Sequence, residues 1–437
     1  MQKEGSFLER WFKLRQNNTN VRTEVIAGVT TFMAMAYILV VNPDILSSTG
    51  MDYGAVFTAT AISAAVATLI MALYANYPFV LAPGMGLNAF FAFSVVLGMG
   101  YSWQFALTAV LIEGIIFILL TFLKVREAIV NAIPATLKQS IGVGIGLFIA
   151  FIGFTNANIV IPDEATLVAL GDVRNPHAIV AIIGIIVTVA LLAKNVKGAM
   201  LIGIVVGTIV GIPLGITPIP TGIFALPPSV APTAFQFVGW DQILSLDMFM
   251  VVITFLFVDL FDTIGMLIGT ATKANMLDKE GKMPGVEKAL FADAIGTTVG
   301  AMLGTSTITT FAESATGVAE GGRTGLTALV AGLLFVAALF FAPLFTIVPS
   351  AAIAPALIIV GLFMMSSILE INFNDITESF PAFLSIILMP LTYSIGEGLA
   401  FGVMSYAAIK LITGRGKEVS VVIYVLAILF AARLVFL

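Results

Sequence analysis

Long apolar runs separated by short polar breaks make up almost the whole chain. They fall at 24–41, 54–75, 87–99, 103–123, 135–154, 177–193, 199–215, 247–270, 287–304, 311–320, 325–345, 350–369, 379–395 and 397–413. Most are about 17 to 25 residues long, enough for a helix to cross a hydrocarbon layer of about 30 Å. The third and tenth are shorter. The runs are continuous, without the polar–apolar alternation of a membrane β-barrel. The pattern therefore predicts an all-α polytopic membrane protein with fourteen transmembrane segments. A further apolar stretch at 419–436 is either a surface helix or a fifteenth span.

Basic residues give the direction of threading. With the N-terminus inside, the even-numbered loops carry Lys124 and Arg126, Lys194 and Lys197, Lys273 through Lys288, Arg323, and Arg415 with Lys417. The opposite loops are nearly free of Lys and Arg; Arg174, beside Asp163, Glu164 and Asp172, is the exception. Loops rich in Lys and Arg stay cytoplasmic. The segment 1–23, with Lys3, Arg10, Lys13, Arg15 and Arg22, leads into the first run without an obvious small-residue cleavage site. An uncleaved, cytoplasmic N-terminus in a cell membrane is expected.

The chain also repeats itself. LTAVLIEGIIF at 107–117 resembles LTALVAGLLF at 326–335, and AVFTATAISAAVATL at 55–69 resembles ALFADAIGTTVGAML at 289–303. Basic residues follow the first LTA copy and precede the second, so the copies cross in opposite directions. That is a seven-plus-seven inverted repeat, typical of secondary transporters whose sites lie near the midplane where helices are broken. The short third segment of each half supplies the break. In Tyr77-Pro78-Phe79-Val80-Leu81-Ala82-Pro83-Gly84-Met85-Gly86-Leu87-Asn88, two prolines and two glycines oppose helix until Leu87. In Gly304-Thr305-Ser306-Thr307-Ile308-Thr309-Thr310-Phe311-Ala312-Glu313, the β-branched residues favour extended backbone and Glu313 opens a helix. Extended stretches are thus predicted before half-helices 3 and 10, whose free N–H ends suit carbonyl or anionic groups.

Composition sharpens this picture. The 437 residues are 59% hydrophobic and 10% charged, so each charge inside a run needs a reason. There is no cysteine, which removes disulfides and thiolate metal sites. The single histidine, His177, follows Asn175-Pro176 and reads as a capping or interfacial residue.

Asp259 and Asp262 lie one helical turn apart in the otherwise uncharged run from Met248 to Ile268. Each costs about 2.5 to 3.5 kcal/mol at a helix centre on insertion scales, so such acids mark an ion or substrate path. Glu313 begins the second half-helix, and Asn88 stands at the comparable place in the first. Glu accepts when ionised and donates when protonated, while Asn does both. With Asp259, they can pair with a planar polar heterocycle, on which Phe311 can stack. A carboxyl group held away from water titrates nearer to neutrality, as a proton-coupled carrier requires. The same oxygens also suit sodium. Asp262 shares a face with Asp259 and can tune it. Glu113 and Asp293 are weaker candidates. Glu320 and Arg323 are expected to pair at the cytoplasmic end, Glu397 to sit in a turn, and Gly265 with Gly269 to make a helix contact.

Five motifs in order resemble the nucleobase:cation symporter-2 superfamily, specifically its adenine/guanine/hypoxanthine permease branch. They are NVRTEVIAGVTTFMAMAYILVVNP (20–43), LAPGMGLNAFFAF (81–93), TFLFVDLFDTIGMLIG (254–269), GTSTITTFAESATGVAEGGRTGLTA (304–328) and MPLTYSIGEG (389–398). The resemblance implies a core domain of segments one to four and eight to eleven (24–123 and 247–345) and a gate domain of the rest (124–246 and 346–437). It implies base binding between them by an acid of the eighth segment and one starting the tenth, here Asp259 and Glu313, with Asn88 and Asp262 also at family motif positions. The substrate-binding set expected is Asn88, Asp259, Phe311, Ala312 and Glu313, and the proton-coupling set Asp259, Asp262 and Glu313. The partners expected are a purine nucleobase, the lipid bilayer and a second copy through the gate domain, with no nucleic acid, metal or cofactor beyond a coupling proton or, alternatively, sodium.

The function expected is import of hypoxanthine, guanine or adenine by cation symport through alternating access. A related carrier of uracil, xanthine or a small anion is the alternative. A channel would need a continuous polar pore, and a membrane-embedded enzyme a catalytic constellation; the sequence shows neither.

Overall fold

In a computed structural model, the structure describes residues 7–122, 134–220, 222–274, 276–277 and 283–436. The first half contains α1 (Val21–Met35), α2 (Ile38–Ser47), α3 (Tyr53–Ile70), β1 (Leu81–Pro83), α4 (Met85–Ala89), α5 (Trp103–Phe122), α6 (Ala135–Asn156), the hairpin β2 (Val160–Asp163) and β3 (Leu167–Leu170), α7 (Pro176–Ala193) and α8 (Ala199–Gly211). The second contains α9 (Leu246–Lys273), α10 (Val286–Leu303), β4 (Ile308–Thr310), α11 (Ser314–Ala319), α12 (Gly325–Ala338), α13 (Ser350–Met364), α14 (Ile376–Leu391), α15 (Ile395–Ile412) and α16 (Val421–Phe436). Among the described residues, eight helical stretches are long and apolar enough to cross a membrane.

Polar residues start the helices where the apolar runs begin. Side chains of Asn20, Asp52, Asn175, Ser245, Thr324, Asp375 and Ser394 each accept a first-turn N–H of the helix that follows. Such a cap satisfies a donor that the helix itself cannot. His177 falls in the Asn175 cap, as expected; Glu397, expected in a turn, lies instead inside helix α15, whose N-cap Ser394 accepts its N–H.

Packing divides the helices into two groups, and the contacts within each come in matched pairs. In one group α3 meets α12 as α10 meets α5, α1 meets α12 as α9 meets α5, and α1 meets α11 as α9 meets α4. In the other, α6 meets α14 as α13 meets α7, and α7 meets α8 as α14 meets α15. This pairing is what two inverted copies of seven segments produce.

The LTA pair of the repeat is placed as expected: Gly114 lies against Thr298 of α10, and Gly332 against Thr68 and Leu69 of α3. The other pair is out of register. Thr68 brackets the backbone of Leu81 in β1, and Thr297 brackets that of Ile308 in β4, so these threonines are equivalent. The sequence match set Thr68 against Met302, five residues further on. Alanine-rich apolar helices give a weak phase signal, which allows that slip.

Other features depart from the sequence reading. The first segment breaks at Ala36 and Tyr37. The β2–β3 hairpin was not foreseen; its antiparallel register pairs Val160 with Leu170, and Asp163 Oδ1 accepts the Ala165 and Thr166 N–H groups at 2.9 Å each. The stretch at 419–436 forms helix α16, against α15. Gly269 faces open space instead of a helix, while Gly146 and Gly361 bring α6 and α13 together backbone to backbone. Gly265's side, Lys124, Arg126, Lys279, Lys282 and the Lys273 side chain lie outside what is described. The connection before α9 lies along the first group, where Thr58 donates to Pro228 O (2.8 Å) and Thr233 to Leu303 O (2.9 Å).

Candidate functional site

The two extended stretches meet where the repeats cross. β1 and β4 pair antiparallel, Leu81 with Thr310, Ala82 with Thr309 and Pro83 with Ile308. The pairing continues at both ends, with Phe311 N–H donating to Val80 O (3.1 Å) and Gly84 N–H to Thr307 O (3.0 Å). Three residues per strand cannot satisfy a buried backbone alone, so threonines of α3 and α10 supply the missing partners, as described for Leu81 and Ile308. Two half-helices then leave the crossing: α4, which runs on as a π-helical stretch from Phe90 to Gly98, and the six-residue α11.

The polar residues before and within β4 tie the crossing to other segments. Asn42 of α2 donates to Thr60 (2.6 Å) and Thr305 (2.8 Å). Ser306 donates to Asn88 Oδ1, and Thr307 to Glu113 Oε2 at 2.6 Å. Thr263 Oγ1 lies 2.7 Å from Asp259 Oδ1, 3.0 Å from Asp293 Oδ1 and 2.8 Å from Thr309 Oγ1. One hydroxyl has a single hydrogen, so Thr263 can serve only one of the two carboxylates at a time. Glu113 and Asp293, the weaker sequence candidates, are therefore both built into this crossing.

The predicted residues separate by exposure. Asp259, Asn88 and Phe311 are buried, Asp262 and Glu313 are half-buried, and Ala312 is exposed. Glu313 is the N-cap residue of α11, as expected, but its side chain makes no capping bond. Tyr37 instead donates to its Oε1 at 2.6 Å. Asn88 is not its counterpart: α4 begins at Met85, Gly84 is its N-cap, and Asn88 lies a turn inside. Pro83 closes the strand and Gly84 turns the chain, so the helix opens two residues earlier than Leu87. Gly84 stands beside Asp262, whose Oδ2 would lie 3.3 Å from any added Cβ. Each half-helix start thus has a half-buried acid, Asp262 at one and Glu313 at the other. Asn88 Nδ2 and Thr310 Oγ1 are buried with no protein partner among the described residues.

Three residues carry structure here that sequence reasoning passed over. Tyr37 sat unremarked in an apolar run, the only signal being its hydroxyl at a segment's middle. Glu24, fully buried, accepts the N–H groups of Arg323 (2.9 Å), Thr324 (3.3 Å) and Thr327 (3.1 Å) and the Thr327 hydroxyl (2.7 Å) at the start of α12. Lys197 takes the partner expected for Arg323: it pairs with Glu320 at 2.7 Å, while the Arg323 guanidinium donates to Val318 O and Gly322 O at 2.7 Å each.

A multi-segment membrane protein with an inverted repeat and two half-helices meeting at a strand crossing has the architecture of a transporter. The fold is similar to that of the transmembrane domain of a cyanobacterium bicarbonate transporter, BicA, with a TM-score of 0.66 at 18% identity over 87% of this chain and 97% of that one. The sequence profile of the permease family Xan_ur_permease matches residues 22–400. The chain belongs to this family, that of the nucleobase:cation symporter-2 transporters, and is a permease and not an enzyme. It is 44% identical to the guanine/hypoxanthine permease PbuG of Bacillus subtilis over 440 residues, covering 98% of this chain and all of the relative (100%). It is also 44% identical to the adenine permease AdeP of Escherichia coli (98% and 96% covered), and 52% identical to a putative permease of Methanocaldococcus jannaschii (99% of each).

Proposed function

We propose that this permease imports purine nucleobases, namely hypoxanthine, guanine or adenine, by proton symport through alternating access. The observation that carries the reading is that each half-helix starts at an acid, Asp262 beside Gly84 at one and Glu313 as the N-cap of the other, with Asp259 and Asn88 buried in the same crossing. A purine edge offers N–H donors to the acids and acceptors to an amide. The unpartnered Asn88 Nδ2 and Thr310 Oγ1 are groups that a ligand can complete, since a buried polar atom without a partner is destabilising. Near-full-length similarity to permeases named for guanine, hypoxanthine and adenine supports the substrate class.

In this reading Asn88, Asp259, Phe311, Ala312 and Glu313 line the base site, and Asp259, Asp262 and Glu313 carry the coupling proton. Residues 24–123 and 247–345 move as a core against a gate of 124–246 and 346–437. The N-terminus is cytoplasmic and the gate domain supports a homodimer.

Proteoliposomes loaded at controlled pH and sodium test it. Labelled hypoxanthine should accumulate on an inward proton gradient, be displaced by guanine or adenine, and not respond to a sodium gradient at equal pH. Glu313→Gln should insert and fold but accumulate no base. Undiminished concentrative uptake by that variant would sink the assignment.

A further inference from the structure

The break in the first segment places one side chain directly on the proposed base-binding acid. Tyr37 is 1% exposed, and its hydroxyl donates to Glu313 Oε1 at 2.6 Å, the range of a hydrogen bond to an ionised acceptor. The tyrosine itself is anchored. Its carbonyl accepts the Val40 and Val41 N–H groups at 3.0 Å each, starting α2, and Asn42 pins that helix to Thr60 and Thr305. Segment one of the first repeat therefore reaches the half-helix of the second from a fixed point.

The geometry at Glu313 needs such a partner. Its side chain does not cap α11, and besides its own backbone N–H the Tyr37 hydroxyl is the partner that orients the carboxyl. The terminal torsion of a glutamate is broad, and two equivalent oxygens would otherwise exchange freely. Holding Oε1 leaves Oε2 for a ligand.

We infer that Tyr37 is a positioning residue for base recognition, its hydroxyl orienting the Glu313 carboxyl so that Oε2 faces an N–H of the purine ring. This rests on the reading that Glu313 contacts the base. A ligand N–H held by a preoriented carboxylate loses less freedom on binding, which appears as affinity and not as turnover.

The test is guanine binding and initial-rate uptake in Tyr37→Phe, measured in both the native and Glu313→Asp backgrounds. Tyr37→Phe should raise Kd and KM about tenfold, the scale of one lost hydrogen bond to a charged group, with maximal rate unchanged. In Glu313→Asp the carboxyl is one methylene short of the tyrosine, so adding Tyr37→Phe should change Kd less than twofold. Equal fold-losses in both backgrounds, or no loss in either, overturn the inference. Should Tyr37→Phe not fold, 3-fluorotyrosine at position 37 keeps the ring and strengthens the donor. It should shift the Glu313 carboxyl band in the infrared difference spectrum of base binding, and an unmoved band again overturns the inference. Accumulation that survives Glu313→Gln refutes the base assignment itself. Its loss there, beside an unaffected Tyr37→Phe, refutes only the positioning role.

Discussion

Single residues in this protein are expensive to bury and are used where a backbone needs them. Glu24 is the clearest instance, because its carboxylate serves three N–H groups and a hydroxyl at the start of α12. A helix N-terminus presents donors that no residue of the helix can satisfy, and a buried carboxylate there answers both the donors and the positive end of the dipole. Glu24→Ala leaves several buried donors unpaired, and at about 1 to 3 kcal/mol each the loss should reach at least about 3 kcal/mol. The thermal midpoint in detergent should fall by several degrees, with Glu24→Gln intermediate because it keeps one acceptor oxygen. A midpoint unchanged in Glu24→Ala would mean that water or another group already serves these donors. The sequence showed Glu24 inside a motif but not its partners, which lie about 300 positions away. Asp259 and Asp262 teach the same lesson: their shared spacing marked a site, yet only the fold shows that Thr263 engages one while the other stands beside Gly84.

At the scale of elements, apolar length made nearly every helix legible, and Pro-Gly and Thr-rich composition marked β1 and β4, though not the β2–β3 hairpin. What was not legible was how a helix end is fastened. The turn between α15 and α16 is an example. Arg415 pairs with Asp375 (2.6 Å) at the start of α14 and with Glu418 (2.8 Å), and buried Lys410 pairs with Glu378 (2.6 Å) and Glu418 (2.8 Å). Hydrogen bonds from Arg415, then Lys410, hold the Glu418 carboxyl down from 4.5 to about 2, and Arg415 holds Asp375 well below the usual carboxylate range. Both values are depressed in the folded protein, so the stabilisation is present above the unfolded values and is lost as pH falls through the folded ones. Amide protection at 413–420, corrected for intrinsic exchange, should therefore hold down to about pH 4.5 and decay from there to about 2. Arg415→Gln should weaken it already at neutral pH. Arg415 and Glu418 are partly exposed, so high salt should blunt the difference between the two proteins. Equal protection in both at low salt would show that apolar packing of α16 alone fastens this end.

Across the whole molecule, the inverted repeat was readable in outline because basic flanks reverse around the LTA copies. The division into two helix groups was not readable from the residues themselves, since lipid-facing and group-facing positions are both apolar. Their junction contains an ion pair: Lys197, in the turn between α7 and α8, meets Glu320, which closes α11. With side chains 46% and 33% exposed, such a pair is worth at most about 1 kcal/mol, weak enough to break in each transport cycle. Glu313 starts the same half-helix, so any displacement of the proposed base site relative to the α7–α8 turn has to separate Lys197 from Glu320. Because the chain has no cysteine, Lys197→Cys with Glu320→Cys creates a unique thiol pair. Bridging that pair with a reducible bifunctional reagent should stop hypoxanthine uptake, reduction should restore it, and each single-cysteine variant should transport after the same treatment. Full uptake by quantitatively bridged protein would mean that the two helix groups do not part at this junction, and the moving-core reading would fall with it.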